Sequence, residues 1–329
     1  MTTFVLLLLK WCFLILAVLL LMGILFEQYA RWKLERTAFI GRTFITIKGK
    51  RLHYVKKGQG NCTVVFQSGM GSSHGIWQDI QEKVANHAVT IAYDRNGIML
   101  SENNGLPITN DQASEELQTL LEKTYCPKPY ILVGHSMAAN YLRPFIEQNR
   151  DHIQGIIFAE AAHPQLVKKA SKELLEALKL PPRWLIKSAV FTGIYRLVYS
   201  FIPLSAEIPM HHHLHRLERD FFYRTCDKVL EELANERLNF DHAEQYTSFG
   251  TIPLTVIVGT AEVRYTYIKN AAIRDEFREL LNELQHDLLT LSANSRLVQA
   301  KNSGHILQIQ DSALLIAEIE RMIATGTYC

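Results

Sequence analysis

The sequence predicts an α/β fold: an eight-stranded, mostly parallel sheet flanked by helices, broken by a helical insertion and preceded by a transmembrane helix. Short runs rich in Val, Ile and Tyr alternate with helical patterns over most of the chain. The runs are almost continuously apolar, as strands covered on both faces must be. Before them lies an apolar stretch long enough to cross a bilayer. The 329 residues are 48% hydrophobic and 21% charged, which excludes a disordered polymer and leaves length for one large domain or two smaller ones. A net charge of +2 gives no reason to expect nucleic acid as a partner.

From Phe4 to Phe26 only Lys10 and Gly23 are not apolar, and these 23 residues make about 34 Å of helix against a hydrocarbon core of roughly 30 Å. Lys10 sits near one end, where its ammonium snorkels to the headgroups, and Trp11, Tyr29 and Trp32 suit the two interfaces. A cleaved signal peptide is the competing reading, but no positive charge precedes Lys10 and no A-x-A site follows. Residues 31–60 carry Arg31, Lys33, Arg36, Arg42, Lys48, Lys50, Arg51, Lys56 and Lys57 against the single acid Glu35. By the positive-inside rule the following domain leans to the cytoplasmic side of a single-pass membrane protein; the same residues also read as the solvated face of a hairpin. Five cysteines (Cys12, Cys62, Cys126, Cys226 and Cys329) lack CxxC spacing. Neither a disulfide framework nor a zinc site is expected, and free thiols fit a reducing compartment.

Thr43–Ile47 and Arg51–Lys56 read as two strands around the turn Lys48-Gly49-Lys50. Strands follow at Thr63–Gln67, Val89–Tyr93, Tyr130–Val133, Ile156–Ala159, Leu254–Val258 and Arg296–Ala300, with helices such as Gln112–Lys123, Ala138–Asn149 and Asp311–Ala324 between them. Residues 165–250 hold no convincing strand. Helical patterns there run Gln165–Leu180, Arg183–Phe201 and His212–Arg237, separated by Pro181-Pro182 and by Ile202–Pro209. The expected organisation is an anchor over 1–30, a first core portion over 31–164, a helical insertion over 165–250 and the rest of the core over 251–329.

Chemistry in such sheets sits at the carboxyl ends of the strands. There the run Ile131-Leu132-Val133-Gly134-His135-Ser136-Met137-Ala138-Ala139 ends an apolar strand in a G-x-S-x-small turn and starts a helix at once. That geometry lifts a serine hydroxyl above the sheet and makes Ser136 the candidate nucleophile, ahead of the plainer reading as a helix cap. A serine needs a base. Of thirteen histidines, His305 follows the last strand on the loop Lys301-Asn302-Ser303-Gly304-His305. His211, His212, His213 and His215 are the densest cluster, without an acid or cysteine to complete a metal site. His135 and His163 read as structural, and His74 as a residue able to touch substrate. The acid that holds the imidazole's tautomer is Glu262, in Val258-Gly259-Thr260-Ala261-Glu262, with Glu160 the alternative. Oxyanion donors are expected at the amides of Met137 and Met70, with Gly69 the alternative to Met70, because the loop Gln67-Ser68-Gly69-Met70-Gly71-Ser72 lets its backbone approach a ligand.

Together these residues resemble an α/β-hydrolase over roughly 42–329. The resemblance rests on Gly69-Met70-Gly71-Ser72-Ser73-(x)3-Trp77, Tyr93-Asp94-Arg95-Asn96-Gly97, Gly134-His135-Ser136-Met137, Gly259-x-x-Glu262 and Ser303-Gly304-His305. It implies that Asp94 and Arg95 shape the floor of the site, and that the insertion is the family's cap. Three positions depart from the family pattern: Ser68-Gly69 stands for the common His-Gly, Ala138 for glycine and Glu262 for aspartate.

The expected activity is a membrane-anchored serine hydrolase acting on carboxylic esters through an acyl-enzyme, without cofactor or metal. A small-molecule ester or lipid-like molecule is the expected substrate. Aminopeptidase, amidase or acyltransferase activity on the same fold is the alternative, and a non-catalytic binding protein at the membrane is the alternative of another class. The segment Arg183–Phe201 is largely apolar with Lys187 and Arg196 interspersed; it reads as a helix packed on the core, an acyl-pocket wall or a membrane-resting surface.

Overall fold

The computed structural model describes residues 2–326. Eight strands form one sheet: β1 Thr43–Ile47, β2 Lys50–Lys57, β3 Thr63–Gln67, β4 Val89–Tyr93, β5 Tyr130–His135, β6 Ile153–Ala159, β7 Leu254–Gly259 and β8 Ser295–Ala300, in the order β1-β2-β4-β3-β5-β6-β7-β8. The β1–β2 hairpin and the β2–β4 pair are antiparallel, and every later pairing is parallel. Every residue of β3, β4, β5 and β7 is buried, because helices cover both faces and leave no solvent side for a polar alternation.

The helices are α1 Thr2–Thr37, α2 Gln78–Val84, α3 Asn110–Lys123, α4 Ala138–Tyr141, α5 Arg143–Gln148, α6 Leu166–Lys169, α7 Lys172–Ala177, α8 Arg183–Phe191, α9 Ile194–Val198, α10 His213–Ala243, α11 Ala271–Asp287, α12 Leu307–Gln310 and α13 Ser312–Ala324. One apolar core packs α3, α5 and the 288–291 turn on one sheet face; the other packs α2 and α13 on the opposite face. Helices α6 to α10 all lie between β6 and β7 in the chain.

Three single helices expected from periodicity are broken. The 138–149 pattern divides into α4 and α5, because Pro144 has no N–H to offer the carbonyl of Asn140. The 165–180 pattern divides where Ser171 leaves the helix and its side chain caps α7 by accepting from the Leu174 N–H. Gly193, at φ +78°, separates α8 from α9.

The expectation of five free thiols is also corrected. Cys12, Cys126 and Cys226 are free, but Cys62 is disulfide-bonded; Cys329 lies outside the described residues. The basic residues after α1 are similarly less free than their sequence implies. Lys48 pairs with Glu115, Arg51 with Glu102 and Lys57 with Glu82, all from the β1–β2 hairpin.

Candidate active site

Strand β5 is central, with β3 on one side and β6 on the other, so its carboxyl end opens at the middle of the sheet. There Ser136 adopts φ +54°, a left-handed conformation that costs a non-glycine residue energy and persists only where its surroundings impose it. Its N–H donates to the Ala159 carbonyl at 3.1 Å, and its own carbonyl accepts from Ala139 at 3.2 Å and Ala162 at 3.0 Å. The loop after β3 rests directly on it: a Cβ on Gly69 would lie 3.0 Å from both the Ser136 Cβ and the His135 carbonyl, so a larger residue would have to push the turn aside.

His305 follows β8, and its Nδ1 lies 3.2 Å from Glu160 Oε2. The structure places Glu160, the alternative acid, beside His305, and does not bring Glu262 there. The Glu262 side chain is 74% exposed and pairs with Arg278 Nη2 at 2.8 Å, away from the imidazole. Physically, β7 ends at Gly259 and a single 3₁₀ turn, Glu262–Tyr265, begins at once; that turn directs Arg264 inward and Glu262 out toward α11. Glu160, the alternative, is 1% exposed at the end of β6 with φ +53°. Its Oε1 accepts the Gly259 N–H at 2.5 Å, while Oε2 faces both His305 and the Arg264 guanidinium. Sequence carried a signal for this: Phe158-Ala159-Glu160-Ala161-Ala162 sets an acid among small apolar residues at the end of a buried strand, where solvation offers no explanation for it.

With Nδ1–H turned to Glu160, His305 keeps Nε2 as the basic nitrogen. Burial pushes its imidazole well below the ordinary value, and His135 and Arg264 push the same way; the Glu160 carboxylate opposes them. His135 is structural. Its Nε2–H donates to the His305 carbonyl at 2.9 Å, its ring centroid lies 4.7 Å from that of His305, and burial lowers it to about 4. The His305 loop is fixed further by Gly304 N–H on Gln310 at 2.7 Å and Ile306 N–H on Glu207 at 2.8 Å.

Among the described residues, the Met137 amide at the start of α4 has no protein acceptor. Across from it, Arg95 donates to the carbonyls of Ser68 and Gly69, the latter at 2.7 Å. In a trans peptide the C=O and the next N–H point oppositely, so holding the Gly69 oxygen turns the Met70 N–H away from Arg95. Arg95 in turn pairs with Glu232 of α10 at 2.7 Å, and Glu232 accepts the Gly71 N–H at 2.6 Å. Both side chains are almost wholly buried. Sequence reasoning missed Glu232, because a glutamate on a helix of mixed composition reads as solvated.

Asp94 is held well below the usual carboxylate range. Burial alone would raise it, but hydrogen bonds and charge interactions with His74 and His53 outweigh that. His74 Nδ1 lies 2.9 Å from Asp94 Oδ1, and His53 Nδ1 lies 3.0 Å from Oδ2. His74 is thus buried beneath the site instead of facing substrate. His53, His74 and Asp94 are grouped closely enough to hold a metal, as are Asp79, His212 and His213. Asp79 thus corrects the expectation that no acid stands beside the histidine cluster. Backbone N–H groups of His74 and Leu100 complete the Asp94 shell, and His213 faces the Gly75 carbonyl. His215 turns inward onto the Tyr199 carbonyl at 2.8 Å, and His163 meets Asp287 at 2.9 Å.

Ser136, Glu160 and His305 line one cavity of about 650 Å³, whose wall also includes Tyr199, Ile202 and Phe240 from the insertion. Solved structures share this architecture. The haloalkane dehalogenase DatA from Agrobacterium tumefaciens C58 superposes with a TM-score of 0.63 at 15% identity, over 86% of this chain and 96% of that one. The chain has the α/β-hydrolase fold. The epoxide hydrolase CorEH shares the α/β-hydrolase fold with it at a TM-score of 0.62 and 16% identity, over 86% and 98% of the two chains. So does Est816, described as an N-acyl homoserine lactone degrading enzyme, at 0.59 and 15%, over 85% and 99%. In sequence, the uncharacterized protein YqjL of Bacillus subtilis is 25% identical over 272 residues, 82% of this chain and 87% of that one. An AB hydrolase superfamily protein of Gibberella zeae is 24% identical over 285 residues, 79% and 85% of the two. No family model matches the chain.

Proposed function

We propose that the protein is a membrane-anchored serine hydrolase that cleaves carboxylic esters through an acyl-enzyme. Ser136 attacks the acyl carbonyl. His305 takes its proton at Nε2 and returns it to the leaving alcohol, and Glu160 holds the ring and stabilises the imidazolium. The amides of Met137 and Met70 receive the oxyanion. Water then repeats the sequence on the acyl-serine. The observation that carries this reading is a left-handed Ser136 at the β5–α4 turn, sharing a cavity with the buried Glu160 carboxylate and the half-buried His305 imidazole it faces. The bond formed also discriminates among the activities of the fold's other members. A serine acylated by an ester is hydrolysed readily, whereas displacing a halide or opening an epoxide would leave a serine ether that water does not cleave. An acyl substrate therefore fits this nucleophile.

Anchoring is supported by α1, whose most apolar window has a mean hydropathy of 2.9 and no buried share. The disulfide at Cys62 withdraws the thiol argument for a cytoplasmic domain, leaving the basic residues nearest the helix as support for that side. A second reading, cleavage of aminoacyl amides, draws on Glu207 and Glu236, which the insertion contributes to the cavity wall; burial raises both carboxyls. The test is a panel of short esters, monoacylglycerols, lysophospholipids and aminoacyl amides offered to wild type and Ser136→Ala. Ester turnover lost in the variant supports the reading. Turnover confined to aminoacyl amides favours the second, and equal turnover by both proteins defeats the serine mechanism.

A further inference from the structure

Outside α1, large exposed hydrophobic side chains are concentrated. Among the described residues, eight of the fifteen lie between Trp184 and Ile202. Helix α9 is inside-out. Arg196 faces inward and is 8% exposed, while Ile194, Leu197, Val198 and Phe201 are 45%, 57%, 41% and 74% exposed. Spacings of three and four residues put Ile194, Leu197 and Val198 on one side of α9, and exposed Phe191 precedes the helix as exposed Phe201 and Ile202 follow it in the chain. A surface helix in water has the opposite arrangement, and a patch of this kind marks a non-aqueous neighbour.

Contacts with α1 identify that neighbour. Residues 3–22 of α1 touch little of the rest of the protein, but from Gly23 onward the helix packs on the insertion. A Cβ on Gly23 would lie 2.5 Å from the Thr192 carbonyl, and one on Gly193 would lie 2.9 Å from the Gly23 carbonyl, so the two backbones meet directly. Four residues on, Glu27 is 2% exposed and receives Arg196 Nε at 2.6 Å and Arg31 Nε at 2.8 Å. Arg31 also donates to the Val190 carbonyl at 2.7 Å. The start of α9 is thus clamped to α1 where its membrane-length apolar stretch ends. With residues 4–26 of α1 placed across the hydrocarbon, the exposed apolar face of the insertion would fall at the level of the headgroup–acyl boundary. Ile202, half-exposed at the end of this face, also lines the Ser136 cavity, and Tyr199 and Leu204 continue that wall.

We propose that the α8–α9 face lies in the bilayer interface beside α1, so that the active-site cavity opens toward the membrane and receives a lipid-like ester from it. This rests on reading α1 as an anchor, and the partner is the phospholipid surface itself. Polar burial inside, apolar exposure outside and attachment at the helix's exit point are all explained at once. A soluble substrate arriving from water would require none of them.

The test uses the full chain in phosphatidylcholine–phosphatidylglycerol vesicles. One exposed cysteine at a time, at Leu197→Cys, Phe201→Cys and, as a control, the exposed Leu238→Cys of α10, is labelled with an environment-sensitive dye in a Cys12→Ser background, where the remaining free thiols among the described residues, Cys126 and Cys226, are buried. Doxyl-labelled phosphatidylcholine is then added. Quenching at 197 and 201 but not at 238, in protein that floats with the vesicles, is expected. A chain that floats but shows equal or no quenching at the three positions overturns the placement of the insertion alone; a chain that does not float overturns the anchor reading as well. As a functional readout, Leu197→Ser/Phe201→Ser lowers hydrolysis of a vesicle-embedded long-chain ester on the order of tenfold and leaves a short soluble ester within about twofold. Equal effects on both substrates contradict the proposal.

Discussion

Exchanging Glu160 for glutamine isolates the part of the site that sequence alone ranked second. The substitution keeps the side chain's volume and leaves an oxygen for the Gly259 N–H, but removes the charge 3.2 Å from His305 Nδ1. The new amide NH₂ opposes Nδ1–H and favours the tautomer protonated at Nε2, which cannot act as a base. In serine triads, the equivalent loss lowers kcat by about ten-thousand-fold, and a fall of that order is expected for Glu160→Gln. Glu262→Gln breaks only the pair with Arg278, whose side chains are 74% and 38% exposed. Such pairs contribute about 0–1 kcal/mol, so turnover stays within about twofold. Stability must be followed alongside, because Glu160→Gln leaves the buried Arg264 without its counter-charge at a cost of about 3–5 kcal/mol. Glu160→Gln/Arg264→Met removes both charges and should recover folding without recovering turnover. The assay is hydrolysis of a short nitrophenyl ester with thermal melts of each variant. A folded Glu160→Gln protein within tenfold of wild type, or a hundredfold loss in Glu262→Gln, would refute the assignment.

Ser136→Gly relieves a left-handed serine, and after the entropy glycine adds to the unfolded chain about 1 kcal/mol of stabilisation remains; the melting temperature rises while ester hydrolysis disappears. Glu232→Gln weakens the hold on Gly71 and Arg95, so the Met70 peptide loosens; kcat falls about ten- to hundredfold with KM near wild type, and a pure KM effect would argue against an oxyanion role. The pH profile follows from His305. Protonation removes the base, so kcat/KM falls as pH drops through its pKa, and burial sets the midpoint of that acidic limb below 6.5; a midpoint above 6.5 contradicts the environment described.

What sequence made legible follows from which residues had only one physical use. The buried strands are uninterrupted apolar runs, and all eight were readable, with ends displaced by three residues at most. Gly134-His135-Ser136-Met137 has a form that few other structural tasks require. Glu160 and Glu262 were harder to separate, since both end a parallel strand and precede His305 in the chain. What separates them is a three-dimensional fact: the turn after β7 sends Arg264 inward. The family resemblance drew attention to Arg95, but its partner Glu232 lies 137 residues away and only the packing of α10 over the β3 loop unites them. His74 looked available to substrate because its loop does, yet Asp94 draws it under the site. The disulfide at Cys62 could not be read from spacing that matches no framework.

The most direct measurement is active-site labelling by a fluorophosphonate in the full chain, with the modified residue located by peptide mass spectrometry. Stoichiometric phosphonylation of Ser136, abolished in Ser136→Ala and strongly slowed in Glu160→Gln, is the expected result. Folded wild-type protein that takes no label, or label residing on another residue and persisting in Ser136→Ala, would contradict the serine-hydrolase mechanism.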